Sequence, residues 1–330
     1  MSWTNILSDA LRAALGVEAA AYALVAMGLN IHFGYTGLLN FGQVGFMLVG
    51  AYGVAITVGT FGGPLWLGVL VGIALAVVLA LLLGLPTLRL RADYFAITTI
   101  AAAEVLRLLT RSSALQGITE GVFGIQQFAG EFYALNPLPV GRYGIGRLSF
   151  NERGAWVILV TWLLVALFAG VTYLVMRAPW GRLLRSIRED EDAARSLGKN
   201  VVGYKLQSLV LGGVMGAFGG MMLAIATQAV TPDTYNPLLT FYAYTIMILG
   251  GAGRVLGPVL GSMIFWFLLA GTDSLLRSAI GAGLIPTSLL VPAEIGAVRL
   301  ALVGVGLMAL MIFRPQGLFG SREEMLLDAR

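Results

Sequence analysis

Long apolar runs with short polar breaks make up most of this chain. Residues 13–31 form the first run, with Glu18 and Asn30 as polar interruptions. A second run, about 37–58, follows almost at once and is rich in glycine, with Gly34, Gly37 and Gly42 at its entry and Gly45, Gly50 and Gly53 within it. Gly62-Gly63-Pro64 predicts a turn. The run 65–85 is the cleanest, and Pro86 is expected to end it. Residues 94–110 read as a fourth span, although Glu104 and Arg107 lie inside it. Further runs cover 154–176, 203–228, 238–250, 255–272 and 297–313, with Arg314-Pro315 as the last stop. A helix needs about 20 apolar residues to cross the hydrocarbon core. The pattern therefore predicts an all-α polytopic integral membrane protein of about nine transmembrane helices, within a range of about eight to ten, in one domain over residues 1–330.

Four segments break the apolar rhythm. Residues 111–153 hold Gly, Pro and aromatic residues and suit a small external loop or cap. Residues 273–296 form a second polar, Pro-containing loop, and 314–330 a short charged tail. The stretch 178–202 stands apart, because charges arrive there in bulk, including four consecutive acids from Glu189 to Asp192. Pro179 and Gly181 mark its start, Gly198 and Asn200 its end, and a short helix is expected between them. Arg185–Glu189, Arg188–Asp192 and Glu191–Arg195 are i,i+4 pairs, each worth about 0.2–0.5 kcal/mol. Such a helix either docks on something at the membrane surface or only connects two spans. Its spacing does not choose between the two.

Composition agrees with the pattern: 58% of residues are hydrophobic, 12% charged, and mean hydropathy is +0.86. The chain has no cysteine, which excludes disulfides and thiolate metal sites. A single histidine, His32, leaves little basis for a His-ligated metal. The N-terminus lacks a basic segment followed by a short apolar core, so no cleavable signal peptide is expected. The net charge of +4 is small and suggests no nucleic-acid partner. Where the basic residues sit matters more. Placing 178–202 in the cytoplasm puts thirteen of the twenty-one Lys and Arg inside. The C-terminus is then cytoplasmic and the N-terminus external.

No catalytic cluster is visible, and the phosphate-binding pattern G-x-x-x-x-G-K-[ST] is absent. Passage of a solute is the expected work, and no enzyme activity is expected of this chain. Two Gly-interrupted segments, 34–53 and 249–261, lie in opposite halves. Paired broken segments hold substrate in many transporters; equally, the glycines could serve only close helix packing. An unpaired charge at mid-membrane costs about 2.5–3.5 kcal/mol, so Glu104 is expected to pair with Arg107 or to face substrate. Glu18, Asp93 and His32 fall near span ends and are expected to reach interfacial water. Trp66, Trp156, Trp162, Trp180 and Trp266 are expected as interface anchors or packing.

Several blocks resemble the LivM-type permease subunits of branched-chain amino-acid ABC importers. Gly34-Tyr35-Thr36-Gly37-Leu38-Leu39-Asn40-Phe41-Gly42-Gln43, running to Gly50-Ala51-Tyr52, is similar to the family's G-Y-x-G-x-x-S-x-G-H…G-A-Y segment. Asn40 and Gln43 stand where that family usually has Ser and His. Tyr94-Phe95-Ala96-Ile97-Thr98-Thr99 with Glu104 and Arg107 resembles Y-F-A-x-x-T…E-x-x-R. Thr119 to Ile125 resembles T-G-G-x-x-G-I, with Glu120 in place of one Gly. Gly181 to Gly198 resembles the family's charged loop, with Ser186 at a usual Ala. Gly250 to Gly253, Gly257-Pro258, Gly261 and Arg314 to Leu318 complete the match, which covers about residues 34–319.

The resemblance implies a cytoplasmic coupling helix that docks on an ATPase subunit, with Gly181, Arg182, Arg185, Ile187, Arg188, Glu189, Glu191, Ala194 and Gly198 as its coupling residues. It implies a translocation pathway near Gly37, Asn40, Gly42, Gln43, Thr98, Glu104, Gly121, Gly251 and Gly253. It implies no cofactor on this chain, with ATP and magnesium held by partners. Those partners would be a second, homologous permease, two ATP-binding subunits and an extracytoplasmic solute-binding protein, all at a bacterial or archaeal plasma membrane. The departures at Asn40, Gln43 and Glu120 leave the solute open between branched-chain or related amino acids and urea or short amides. A lone ion-coupled transporter is the alternative of a different class; it would show more buried acids and need no docking helix.

Overall fold

In the computed structural model, residues 3–88, 92–146, 148–282, 294–314 and 316–319 are described, and they form a helical bundle. The first apolar run splits at Gly16. Before it lies α1 (Trp3–Leu15), an amphipathic helix that buries Ile6, Ala10 and Ala14 and leaves Trp3, Leu7 and Leu15 exposed. After it comes α2 (Val17–Leu29), buried on every side from Ala19 onward and continued by a π-turn over Asn30–Tyr35. Residues 37–42 then run as irregular chain into α3 (Gln43–Ala55), which also ends in a π-turn, Ile56–Thr60. α4 (Leu65–Thr87) continues through Pro86 rather than stopping before it. The ring sits in the last turn, where one lost hydrogen bond is cheap and the preceding run keeps the helix in place.

α5 (Ala92–Arg111) carries the two predicted charges. The segment that follows is a small cap containing α6 (Gln116–Thr119), α7 (Gly130–Ala134), the two-residue strand β1 (Ile125–Gln126) and the hairpin β2 (Arg142–Ile145) with β3 (Leu148–Asn151). α8 (Glu152–Arg177) returns across the bundle, N-capped by the Asn151 side chain. The charged stretch folds as two helices rather than one, α9 (Pro179–Glu189) and α10 (Glu191–Ser196), because Asp190 turns extended and caps α10 by accepting from Ala193 N. α11 (Val201–Thr227) follows, then β4 (Ala229–Val230), α12 (Leu238–Gly250), α13 (Gly257–Gly281) and α14 (Ile295–Phe313). α13 extends well past residue 272, so Asp273, Ser274 and Arg277 are helical where the residue pattern predicts a loop. The rest of that predicted loop, 283–293, and most of the tail lie outside the described residues.

Six of the described helical segments are long and apolar enough to cross a membrane: Val17–Tyr35, Gln43–Thr60, Leu65–Thr87, Glu152–Arg177, Val201–Thr227 and Gly257–Gly281. α12 is too short to count among them, and α5 carries its charges internally. α2 is the hub of the bundle, packed by α11, α13, α8 and α12. Glycine makes the tightest approaches feasible. A Cβ at Gly28 would overlap the Gly212 carbonyl, and a Cβ at Gly212 would overlap the Gly28 carbonyl and the His32 ring. Backbones that touch this closely gain dispersion and close off the interior without a large apolar side chain.

The cap is tied to the same end of the bundle. β1 pairs antiparallel with β4, Tyr133 Oη donates to Ile225 O at 2.9 Å, and Glu131 accepts from Leu65 N at 2.6 Å. α9 and α10 lie at the opposite end.

Overpacking the α2–α11 contact should be costly. Gly212→Leu is expected to destabilise the protein by about 3 kcal/mol or more. Gly170→Leu, on α8 where no atom lies within 4 Å of a new Cβ, should change stability by less than about 0.5 kcal/mol. Thermal melts read by size-exclusion chromatography in detergent would separate the two; equal melts would refute the close contact.

Candidate functional site

The irregular segment 37–42 departs from helical backbone inside the bundle, and most of its N–H groups have partners. Leu38 N donates to His32 O at 2.8 Å, Phe41 N to Thr99 Oγ1 at 3.1 Å, Gly42 N to Asn40 Oδ1 at 2.9 Å and Val44 N to Thr240 Oγ1 at 2.9 Å. Thr36 Oγ1 donates to Ile31 O at 2.8 Å and lies 2.7 Å from Ser208 Oγ. Side chains from α5, α11 and α12 therefore replace the water that a broken helix would otherwise need.

At the centre sits a saturated polar cluster. Asn40 Nδ2 donates to His32 Nδ1 and to Gln43 Oε1, both at 3.1 Å. Gln43 Nε2 donates to Gly212 O at 3.1 Å and Val25 O at 3.4 Å. His32 Nε2 lies 3.2 Å from Leu209 O. A carbonyl only accepts, so the proton is on Nε2, which leaves Nδ1 to accept from Asn40. His32, Asn40 and Gln43 are each fully buried. The residue pattern places His32 near interfacial water; it is instead a core residue, because the chain continues as a π-turn and carries it inside.

A second interruption meets the first. Asn30 Oδ1 accepts from Gly253 N at 2.8 Å, and Asn30 Nδ2 donates to Arg254 O at 2.9 Å. One buried amide thus latches the turn between α12 and α13 to the end of α2. Gly251 (φ 106°) and Gly253 (φ 76°) adopt backbone conformations that only glycine enters freely. From the far side, Arg188 Nη1 on α9 donates to Gly34 O at 2.5 Å, and Gly37 (φ 76°) lies against the Arg188 stem. A cleft of about 230 Å³ opens here, lined by Gly37, Leu39, Thr87, Arg188, Glu191 and Lys205.

One of the predicted pairs in the charged loop is in place. Glu191–Arg195 forms at 2.8 Å, and Glu191 also pairs with Lys205. The break at Asp190 takes Arg188 and Asp192 off one helical face. Arg185 Nη2 donates to Met176 O at 2.8 Å. Gly181 packs on Met176 so closely that a Cβ would clash with its backbone, and Ile187 and Ala194 are buried with Val201. Arg182, Glu189 and Gly198 are exposed.

The remaining expected pathway residues are spread along the bundle. Thr98 Oγ1 only donates to Tyr94 O at 2.7 Å within α5, and its neighbour Thr99 is the one that reaches the break. Glu104 pairs with Arg107 through two bonds of 2.6 and 2.9 Å. Arg107 and Arg111 both reach Asp233, each at 2.9 Å, tying α5 to the connection before α12. Gly121 (φ 58°) lies in a turn of the cap, its N–H 3.3 Å from Thr119 Oγ1. Nothing in the residue pattern marks Asn30, His32, Thr99, Ser208 or Thr240 as part of a site. Ordinary polar residues scattered over several helices leave no local signal; only their convergence marks them. Among the described residues no cluster of His, Cys, Asp and Glu could hold a metal ion.

The chain is thus a helical bundle with two interrupted segments latched together and a surface helix braced against them. The chain belongs to the family described as "Branched-chain amino acid transport system / permease component", whose profile matches residues 12–312. It is 30% identical over 308 residues to the high-affinity branched-chain amino acid permease LivM of Escherichia coli K12, covering 90% of this chain and 67% of that one. A probable LivM of Methanocaldococcus jannaschii is 25% identical over 90% of both chains. The nucleoside ABC transporter permease NupC of Lactococcus lactis is 28% identical over 69% of this chain and 71% of its own. Permease components of this family are transport subunits and not enzymes.

Asn30→Ala should remove the bonds it makes to the Gly253 N–H and the Arg254 carbonyl, each worth about 0.5–1.5 kcal/mol. The turn should therefore open. A cysteine introduced at Val255, in a chain with no other, should react with maleimide faster in the Asn30→Ala background; an unchanged rate would show that the latch does not hold the turn.

Proposed function

We propose that this chain is one of two permease subunits of an ATP-driven importer that moves branched-chain or related amino acids by alternating access. The observation that supports this reading best is the contact from Arg188 on α9 to Gly34 O, beside the Asn30 latch. A surface helix pushed by a partner would move the broken segment directly. In this reading α9 and α10 face the cytoplasm and dock on an ATPase, with Arg182, Glu189, Gly198 and the exposed tip Leu197 toward the partner. The C-terminus is cytoplasmic, and the cap meets an extracytoplasmic solute-binding protein.

The exposed face of α5, with Tyr94, Ile97 and Val105, suits the second permease, and the pathway would run along it past Thr98 and Glu104. Gly37, Gly251 and Gly253 would flex at the inner end, and Gly121 would shape the outer. Asn40, Gly42 and Gln43 would act on the pathway by holding the break in register. The likeness to a nucleoside permease keeps nucleosides in the solute panel beside amino acids, urea and short amides.

Mild extraction of the tagged chain from its native membrane should bring two ATP-binding subunits and a homologous permease with it, as read by mass spectrometry. A chain that comes out alone and still drives uptake after reconstitution would replace this mechanism with ion coupling. The double variant Glu189→Lys with Leu197→Asp should insert normally yet lose at least about 90% of uptake, since reversing a charge and placing a carboxylate at an apolar docking tip together weaken docking by more than about 1.4 kcal/mol. Cysteines introduced at Ser196 and Ser113 should label from opposite sides of the membrane; labelling from one side would overturn the orientation.

A further inference from the structure

Between α8 and α13, over α2, a cleft of about 600 Å³ opens at the end of the bundle that carries α9. Tyr35, buried at the end of the π-turn, belongs to its lining, together with apolar side chains such as Tyr173, Leu256 and Leu260. Three arginines from three different elements line the same space: Arg177 at the end of α8, Arg185 on α9 and Arg254 just before α13. Among the described residues that line it there is no carboxylate. The Arg177 guanidinium lies 4.2 Å from the centre of the Tyr173 ring, and Arg185 is anchored to Met176 O. Farther along the same two helices, α8 exposes Leu163 and Leu167 and α13 exposes Leu268.

We propose that this cleft binds one anionic phospholipid, its phosphate held by Arg177, Arg185 and Arg254 and its acyl chains lying along α8 and α13. Guanidinium forks match phosphate oxygens in pairs, and basic pockets between spans at a membrane surface take anionic headgroups. A soluble anion would use the arginines but leave the apolar walls wet. The bound lipid connects α9 to the turn that Asn30 latches, since Arg185 belongs to the first and Arg254 to the second. The choice of leaflet rests on the orientation proposed above; the binding itself does not.

Native mass spectrometry of the purified chain in detergent tests binding without any membrane orientation. Phosphatidylglycerol and phosphatidylcholine of equal chain length are titrated in parallel. The first should bind at least about tenfold more tightly. The triple variant Arg177→Gln, Arg185→Gln, Arg254→Gln should lose that preference, while the triple Lys variant keeps most of it and Arg277→Gln, at the far end of α13, keeps all of it. Equal binding of the two lipids by the unaltered chain would overturn the proposal. So would an unchanged preference in the triple Gln variant, or displacement of phosphatidylglycerol by millimolar glycerol phosphate, which would make the site one for a free anion.

Discussion

Backbone that leaves its helix inside hydrocarbon has no water to bond, and the whole interior of this permease is arranged around that fact. Residues 37–42 free several N–H and C=O groups at once. Thr99, Asn40 and the His32 carbonyl meet N–H groups of the break, and Thr240 meets Val44 N in the first turn of α3. Because Thr99 belongs to α5 and Thr240 to α12, while Ser208 of α11 holds Thr36 just before the break, the arrangement is stable only when those helices are packed in place. The glycines at 28 and 212 serve the same end, by letting α2 and α11 come close enough for Gln43 to reach the Gly212 carbonyl. Packing and polar satisfaction are one problem here, solved jointly.

The two interruptions are not independent devices. Asn30 binds the turn after α12, and Arg188 binds the Gly34 carbonyl four residues farther along the same π-turn. A short piece of chain therefore touches the spans, the second broken hairpin and the charged surface helix. Each link is one or two hydrogen bonds, worth about 1 kcal/mol apiece. Such links are strong enough to define one arrangement and weak enough to be exchanged for a few kcal/mol. The Glu104–Arg107–Asp233 group does comparable work at the cap end, holding α5 to the loop before α12.

The family segment that this stretch resembles carries Ser and His where Asn40 and Gln43 stand, and here the buried cluster is closed by amides. An imidazole is still present, but it belongs to His32, and the two amides saturate it and each other. The donors and acceptors close into a set with no side-chain polar atom left over among these three residues. Altering one member leaves another buried and unpaired, so the three are expected to change together.

Much of the architecture is legible in the residue pattern. The apolar runs locate the six described segments long and apolar enough to cross a membrane, though not all of the nine spans they predict, the glycines mark both breaks, and the ordered blocks from Gly34 to Leu318 point to the family without any knowledge of contacts. Hydropathy reads well in membranes because the solvent penalises polar backbone and side chains so heavily. The limits are equally physical. The amphipathic helix α1 lies mostly before the first apolar run, and its mixed polarity gives hydropathy no span to mark. A proline in a final turn costs too little to end α4. Asp190 splits the charged stretch by capping α10, a choice that depends on one side chain finding one N–H. The residues that build the site, His32 with Asn40 and Gln43, and Asn30 with Gly253, lie up to 223 positions apart. Only the tertiary fold brings them together, because what selects each of them is a partner on another helix and not a neighbour in the chain.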